Sequence, residues 1–264
     1  MDVLGFGESS VDYVHVVATL PREGTSKLRI SSHFVSCGGQ VATAMAGCAA
    51  LGLRAGYLGA IGNHANAGRI REALTARGVD LSRAIVRDAS SPFAVILVEE
   101  SSGEWVVLWE RDPGLDLDAG DVTPTLVTGS RIVHVDATDE AASIQLAQLA
   151  RATGVSVTCD VDAVTRGTPE LLSHVTVPIL AAHVPQELTG ITDGEGSLRA
   201  MRAAHPGVLC VTLGARGSAA LDGERFVHIP AFAVPAVDTT GAGDVFRAGF
   251  IYGIVNGWPT ERTL

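Results

Sequence analysis

Two glycines and a carboxylate stand where an apolar, helix-like segment begins: Asp238-Thr239-Thr240-Gly241-Ala242-Gly243-Asp244, running on into Val245-Phe246-Arg247-Ala248-Gly249-Phe250. Glycines let backbone amides crowd together, and the unpaired N–H groups of a helix's first turn attract an anion. An aspartate inside such a site competes with the anion, unless its task is to take a proton from a hydroxyl attacking a phosphoryl group. On that reading Asp244 is a general base, and the amides of Gly241, Ala242 and Gly243 stabilise charge on the transferring oxygens. The plain alternative is a glycine-rich turn whose acidic residue favours a helix start. The full seven-residue run favours the chemistry.

A second constellation lies near the other end of the chain. Gly38-Gly39-Gln40-Val41-Ala42-Thr43-Ala44 leads to Ala50-Leu51-Gly52 and opens another helix. Gln40 and Thr43 are spaced to face one side, and both donate and accept hydrogen bonds, which suits a sugar. A helix threonine can also bond back to its own backbone. Asp12, just beyond the first strand, could accept two hydroxyl hydrogen bonds at once, or could be an exposed carboxylate at a turn. Gly5-Phe6-Gly7-Glu8-Ser9-Ser10 resembles a dinucleotide fingerprint only superficially, because the third glycine is missing and β-like residues follow.

These stretches resemble the two signatures of the ribokinase-like (PfkB) carbohydrate kinases, in the family's order, and the resemblance runs from Val3 to about Trp258. Trp109-Glu110-Arg111-Asp112 and Asp160-Val161-Asp162 resemble ketohexokinase-like and related bacterial sugar kinases. The resemblance implies an ATP-dependent phosphotransferase acting on a small sugar, a ketose or pentose, with Mg²⁺. It implies that Asp12, Gly38, Gly39, Gln40 and Thr43 bind the sugar, and that Arg111 reaches the sugar or a phosphate. Thr212, Gly214 and Gly217 would meet the phosphates or ribose of ATP, and Asp238 and Thr240 would hold a monovalent cation such as K⁺. A nucleoside kinase, or a non-catalytic sugar-binding relative, are the alternatives; only three Trp, three Tyr and seven Phe are available to stack a base.

The chain departs from the family at three places. Gln40 and Thr43 stand where asparagines are common. The Asn-x-x-Glu motif before Leu188-Thr189-Gly190 is incomplete, since Ala181 and Val184 occupy its positions. Metal handling would then fall to water, the phosphates and Asp160 or Asp162. The family's C-terminal segment is expected to be absent beyond Leu264.

Positioning these residues takes a frame. With 264 residues, 1–264 fits one α/β domain able to bury its own core. Apolar strand-like runs alternate with helical patterns: strands at 3–6, 55–61, 132–135, 156–160, 177–181 and 208–213, and helices at 40–51, 67–77, 141–153, 197–204 and 244–256. This predicts a three-layer α/β/α architecture on a mainly parallel sheet. Two β-rich regions without helices, at about 9–36 and 90–111, predict a small separate sheet with a hairpin around Glu100–Gly103. The resemblance makes that sheet a lid over the sugar and a homodimer interface. A net charge of −10 without a Lys/Arg cluster excludes nucleic acid as a partner. The four cysteines show no CxxC spacing, and Cys48, Cys159 and Cys210 read as buried thiols. With no leader and no membrane span, a soluble cytoplasmic protein is expected.

Overall fold

The computed structural model describes residues 1–235 and 239–264. The first half runs β1 (Val3–Phe6), β2 (Ser10–Val17), β3 (Ile30–Gly38), α1 (Gln40–Ala50), β4 (Ala55–Leu58), β5 (Ala60–Ile61), α2 (Ala65–Ala76), β6 (Ile85–Val86), β7 (Phe93–Glu99) and β8 (Trp105–Glu110). It is followed by α3 (Pro124–Val127), β9 (Ile132–Val135), α4 (Glu140–Ala152), β10 (Ser156–Val161), α5 (Thr168–His174), β11 (Val177–Ala181), α6 (His183–Thr189) and α7 (Gly194–Met201). The chain closes with β12 (Leu209–Thr212), β13 (Ser218–Asp222), β14 (Arg225–Ile229), α8 (Ala242–Val255) and α9 (Thr260–Thr263).

The main sheet has the order β14-β13-β12-β11-β10-β9-β1-β4. Its strands are parallel from β4 to β12, and the β13 and β14 edge is antiparallel. β1, β4 and β9 are buried at every residue, as strands covered on both faces must be. Side chains alternate between the two layers. Leu4, Phe6, Val133, Val135, Val157 and Cys159 pack beneath α4 to α7. Val3 and Ile132 point the other way, against Val41 and Met45 of α1, Ile70 of α2, and Ala248 and Ile251 of α8. The expected three-layer architecture is met, and the three cysteines read as buried are buried.

The second sheet has the order β3-β2-β7-β8 and contains the expected hairpin between β7 and β8. β2 sits between β3 and β7 and runs parallel to β7, which the sequence does not reveal. Tyr13 roots this sheet on the body: its hydroxyl donates to Asn66 of α2 at 2.8 Å, and its ring meets Phe93 edge-on. β8 is an exposed edge strand carrying Trp105, Leu108 and Trp109.

Several elements differ from expectation for local reasons. α7 begins three residues early because the Asp193 carboxylate caps it, accepting from the Gly196 amide at 2.6 Å. α5 and α6 have seven residues each, too few to display a helical period. Among the described residues, no helix is long and apolar enough to cross a membrane.

Candidate active site

The site begins with two helix starts brought side by side. Gly39 precedes α1 with φ 94°, and a Cβ there would lie 2.5 Å from Ser9 Cα and 2.6 Å from the Glu8 carbonyl oxygen. Only glycine fits. Gly241 precedes α8 in the left-handed region, φ 73° and ψ 0°, and no side chain caps this fourteen-residue helix. Its first amides are thus presented where a ligand anion would satisfy them. The two helices touch closely: a Cβ on Gly47 of α1 would lie 2.7 Å from Ala248 Cβ of α8, and one on Gly241 would lie 3.6 Å from Thr43 Cγ2.

Between these helix starts and the small sheet opens a cleft of about 830 Å³. Its lining includes Glu8, Gln40, Trp109, Arg111, Asp162 and Asp244. Gln40 donates from Nε2 to Asp162 Oδ2 at 2.9 Å, tying α1 to the end of β10. Asp12 sits just behind the lining, accepting from the Ser10 hydroxyl at 2.8 Å, and any side chain at Gly38 would collide with it.

Burial and mutual repulsion push the carboxylates of this region toward their protonated forms. Asp244 rises to about 7, mainly through burial; Arg247 pulls it back, and Asp162, Asp136 and Asp12 push it further. Glu8 also rises to about 7, from burial and then from Asp136. Asp136 is fully buried and rises to about 6, although it accepts from the Glu8 amide at 2.7 Å and the Thr138 amide at 3.0 Å. A carboxylate near neutrality, at the mouth of an amide-rich helix start, is suited to take a proton from a hydroxyl at physiological pH.

Under the floor lies an ion pair. Arg247, one turn after Asp244, is buried and its Nη2 meets the carboxylate of Asp160. A Cβ on Gly243 would come within 2.7 Å of Arg247 Nη1, so the guanidinium lies directly behind the amide turn. Burial raises the Asp160 carboxyl well above its ordinary range, with Arg247 opposing. Nearby His134, whose Nδ1 bonds Thr158 Oγ1 at 2.9 Å, is pushed down to about 3 by burial and by Arg247, so it is neutral. Asp160 therefore has an internal partner, which removes it from the two residues expected to help with a metal; Asp162 remains at the cleft.

Of the expected residues, the structure brings Gly39, Gln40, Arg111 and Asp244 to the cleft, with Asp12, Gly38, Thr43 and the Gly241–Gly243 turn beside it. Arg111 reaches the lining, but its donors are taken. Nη2 bonds both Asp139 oxygens at 3.0 and 2.9 Å and the Leu115 carbonyl at 3.2 Å, and Nη1 bonds Asp116 at 3.1 Å. Thr212, Gly214 and Gly217 lie apart, in the turn that leaves β12. There the Leu213 amide bonds the Gly217 carbonyl at 2.8 Å, and both glycines have positive φ. Thr240 sits in the turn before α8, and Asp238 lies outside the described residues. At the incomplete motif Val184 is fully buried and Glu187 exposed. Among the described residues, no group of three or more His, Cys, Asp or Glu side chains is placed to hold a metal. Sequence reasoning missed Glu8, Asp136, Asp139 and Arg247. Of these, only Arg247 left a signal: a cation inside the otherwise apolar run Val245–Phe250.

A parallel sheet clothed on both faces, an amide-mouthed cleft beyond its strand ends and a detached β-sheet over that cleft define an α/β phosphotransferase of ribokinase-like fold. Residues 2–264 match the pfkB family carbohydrate kinases, and the chain belongs to that family. It is similar to a nucleoside kinase of Methanothermobacter thermautotrophicus, 26% identical over 97% of this chain and 83% of the relative. An ATP-dependent ribose-1-phosphate kinase of Halopiger xanaduensis is 28% identical over 99% and 88%. Among solved structures, an Agrobacterium tumefaciens protein aligns with a TM-score of 0.91 at 25% identity, covering 99% of this chain and 87% of its own. Arabidopsis thaliana ribokinase, solved with ribose and ATP, aligns with a TM-score of 0.83 at 25% identity, covering 99% and 88%.

Proposed function

We propose that this chain transfers the γ-phosphoryl group of ATP to a hydroxyl of a small sugar bound in the cleft, with Asp244 as the general base. The observation that carries this reading is the position of Asp244: it lies in the first turn of an uncapped fourteen-residue helix, lines the cleft, and holds a carboxyl raised to about 7. The hydroxyl to be phosphorylated would lie against Asp244 and lose its proton there as it attacks. The amides of Gly241, Ala242, Gly243 and Asp244 would receive the charge that develops on the transferring oxygens. Such transfers rest on alignment and fixed electrostatics, which backbone amides supply without reorganising.

Asp12, Gly38, Gly39, Gln40 and Thr43 would contact the acceptor. Thr212, Gly214 and Gly217 would border the nucleotide on the other side of the Gly241–Gly243 turn. Asp162 is the cleft carboxylate suited to meet the waters of a nucleotide-bound Mg²⁺, which when present would neutralise charge on the phosphates. A monovalent cation at Asp238 and Thr240, a homodimer formed across the small sheet, and a cytoplasmic location complete the proposal. The apolar edge strand β8 supports the dimer.

The relatives' names divide among ribose, fructose, nucleoside and phosphorylated-ribose acceptors, so the acceptor is open within this reaction. The test is ADP release from Mg-ATP across fructose, ribose, ketodeoxygluconate and nucleosides, with Asp244→Ala as control. Sugar-dependent release that the variant lacks is expected. Binding without release from any acceptor would replace the kinase reading with a non-catalytic sugar-binding one.

A further inference from the structure

The charge of the acceptor can be read from the cleft that must receive it. Among the described residues, the lining carries five carboxylates (Glu8, Glu110, Asp116, Asp162 and Asp244) against a single guanidinium, that of Arg111. Arg111 offers nothing to an incoming anion. Its terminal nitrogens are held by Asp139, Asp116 and the Leu115 carbonyl, and only 13% of its side chain is exposed. Asp12, Asp136 and Asp139 stand behind the lining and add to the same negative field. Much of the remaining surface is apolar: Pro92, Phe93, Val107 and Trp109 from the small sheet, with Trp109 74% exposed. Carboxylates accept hydroxyl hydrogen bonds, and flat apolar side chains cover the C–H faces of a ring. Neither can receive a carboxylate or phosphate. An anion placed here would meet like charges across partly desolvated space, with no free cation to answer it.

We propose that the acceptor is an uncharged sugar ring with free hydroxyls, either as the free sugar or carried in a nucleoside, and that the cleft excludes acceptors bearing a carboxylate or phosphate. Turnover of that acceptor rests on the kinase reading, but the charge selection is a property of the cleft alone. The nucleotide's own negative charge is met elsewhere, at the amides that open α8. The elevated carboxyls of Glu8 and Asp244 agree with a crowded negative field that a further anion would worsen.

The experiment uses matched pairs on the full chain with Mg-ATP: ribose and ribose 1-phosphate, fructose and fructose 6-phosphate, adenosine and adenosine 5′-monophosphate. Initial rates of ADP release are measured first, then calorimetric binding of each acceptor in the presence of a non-hydrolysable ATP analogue. In at least one pair the uncharged member should exceed its anionic partner about a hundredfold in kcat/KM. The gap should narrow in an Asp116→Asn/Glu110→Gln double variant and as salt is raised. The free sugars and the nucleoside distinguish the two sources of the ring. An anionic member used as well as or better than its partner, or a gap that ignores both the double variant and salt, overturns the proposal. If no acceptor is turned over, the kinase reading fails, and the binding arm still decides. Binding confined to uncharged members upholds the charge selection, whereas binding of anions or of nothing overturns it.

Discussion

The cleft beneath the small sheet and the turn that leaves β12 face the same catalytic helix from opposite sides, and they are made of different materials. The cleft presents side chains gathered from distant segments: Glu8 after β1, Gln40 on α1, Arg111 after β8 and Asp162 after β10. The turn presents backbone, with Gly214 at φ 58° and Gly217 at φ 96° held between β12 and β13. A side-chain surface can be retuned one residue at a time, so acceptor choice can drift while the fold persists. A backbone surface depends on glycines that no other residue replaces, which keeps the nucleotide end constant. α8 joins the two, with Asp244 on the cleft and Gly241–Gly243 in the turn before it.

The largest effect should come from removing the group the two sides share. Asp244→Ala is expected to lower kcat by about 100- to 10,000-fold while acceptor and ATP still bind, measured by steady-state ADP release and calorimetry. Retained turnover would dissolve the proposed division, because the cleft would then lack a base. Next comes the brace beneath both. Arg247→Met leaves Asp160 buried without its partner and should destabilise the protein by about 3–5 kcal/mol in denaturant titration. Arg247 also lowers the pKa of Asp244, so the acid limb of kcat/KM should move to higher pH in that variant. Adding Asp160→Asn should recover stability without returning the limb, which separates a structural role from an electrostatic one.

A sharper separation of the two sides is Gly217→Ala. Its Cβ would lie 2.0 Å from the Ile229 carbonyl oxygen in a backbone conformation that costs an ordinary residue about 1–3 kcal/mol. The KM for ATP should rise about tenfold with the acceptor KM unchanged; a parallel rise in both would merge the regions. The smallest effect is on pH-dependent stability. Glu8 and Asp244 have folded pKa values raised to about 7. Their contribution is fully present below the unfolded carboxylate range and is lost as pH rises through 7. Lowering pH from 8 to 6 should therefore raise the melting temperature of the ligand-free protein, by about 4 °C. Glu8→Gln should flatten that rise.

The same contrast explains what the sequence discloses. The backbone parts announce themselves, because glycine at fixed spacing has few reasons other than geometry: Gly38-Gly39, Gly214 and Gly217, and Gly241 and Gly243 all stand out. The layered sheet is equally legible, since β1, β9 and β10 are unbroken apolar runs between helical periods. The side-chain parts are harder. Glu8 reads as part of a failed dinucleotide pattern, and it lines the cleft because β1 ends beside β9, whose following residue is Asp136. Asp136 and Asp139 look like any loop carboxylates until that strand neighbour is known. Arg111 looks free in the sequence, and only folding shows that Asp139, many residues later, occupies it. The parallel pairing of β2 with β7 cannot be foreseen, because short polar strands carry no label for their neighbour.

The contact between α1 and α8, made where Gly47 faces Ala248, has a consequence for how the protein comes into being. The two helices lie near opposite ends of the polypeptide, so their union closes a very long loop and belongs to the slow, non-local part of folding. On the ribosome, β1, the small sheet and α1 emerge long before the helix that carries Asp244. A nascent chain can therefore shape much of the acceptor cleft while lacking both the base and the amide turn. Phosphoryl transfer becomes available only when α8 docks, so the last major assembly event also switches the chemistry on.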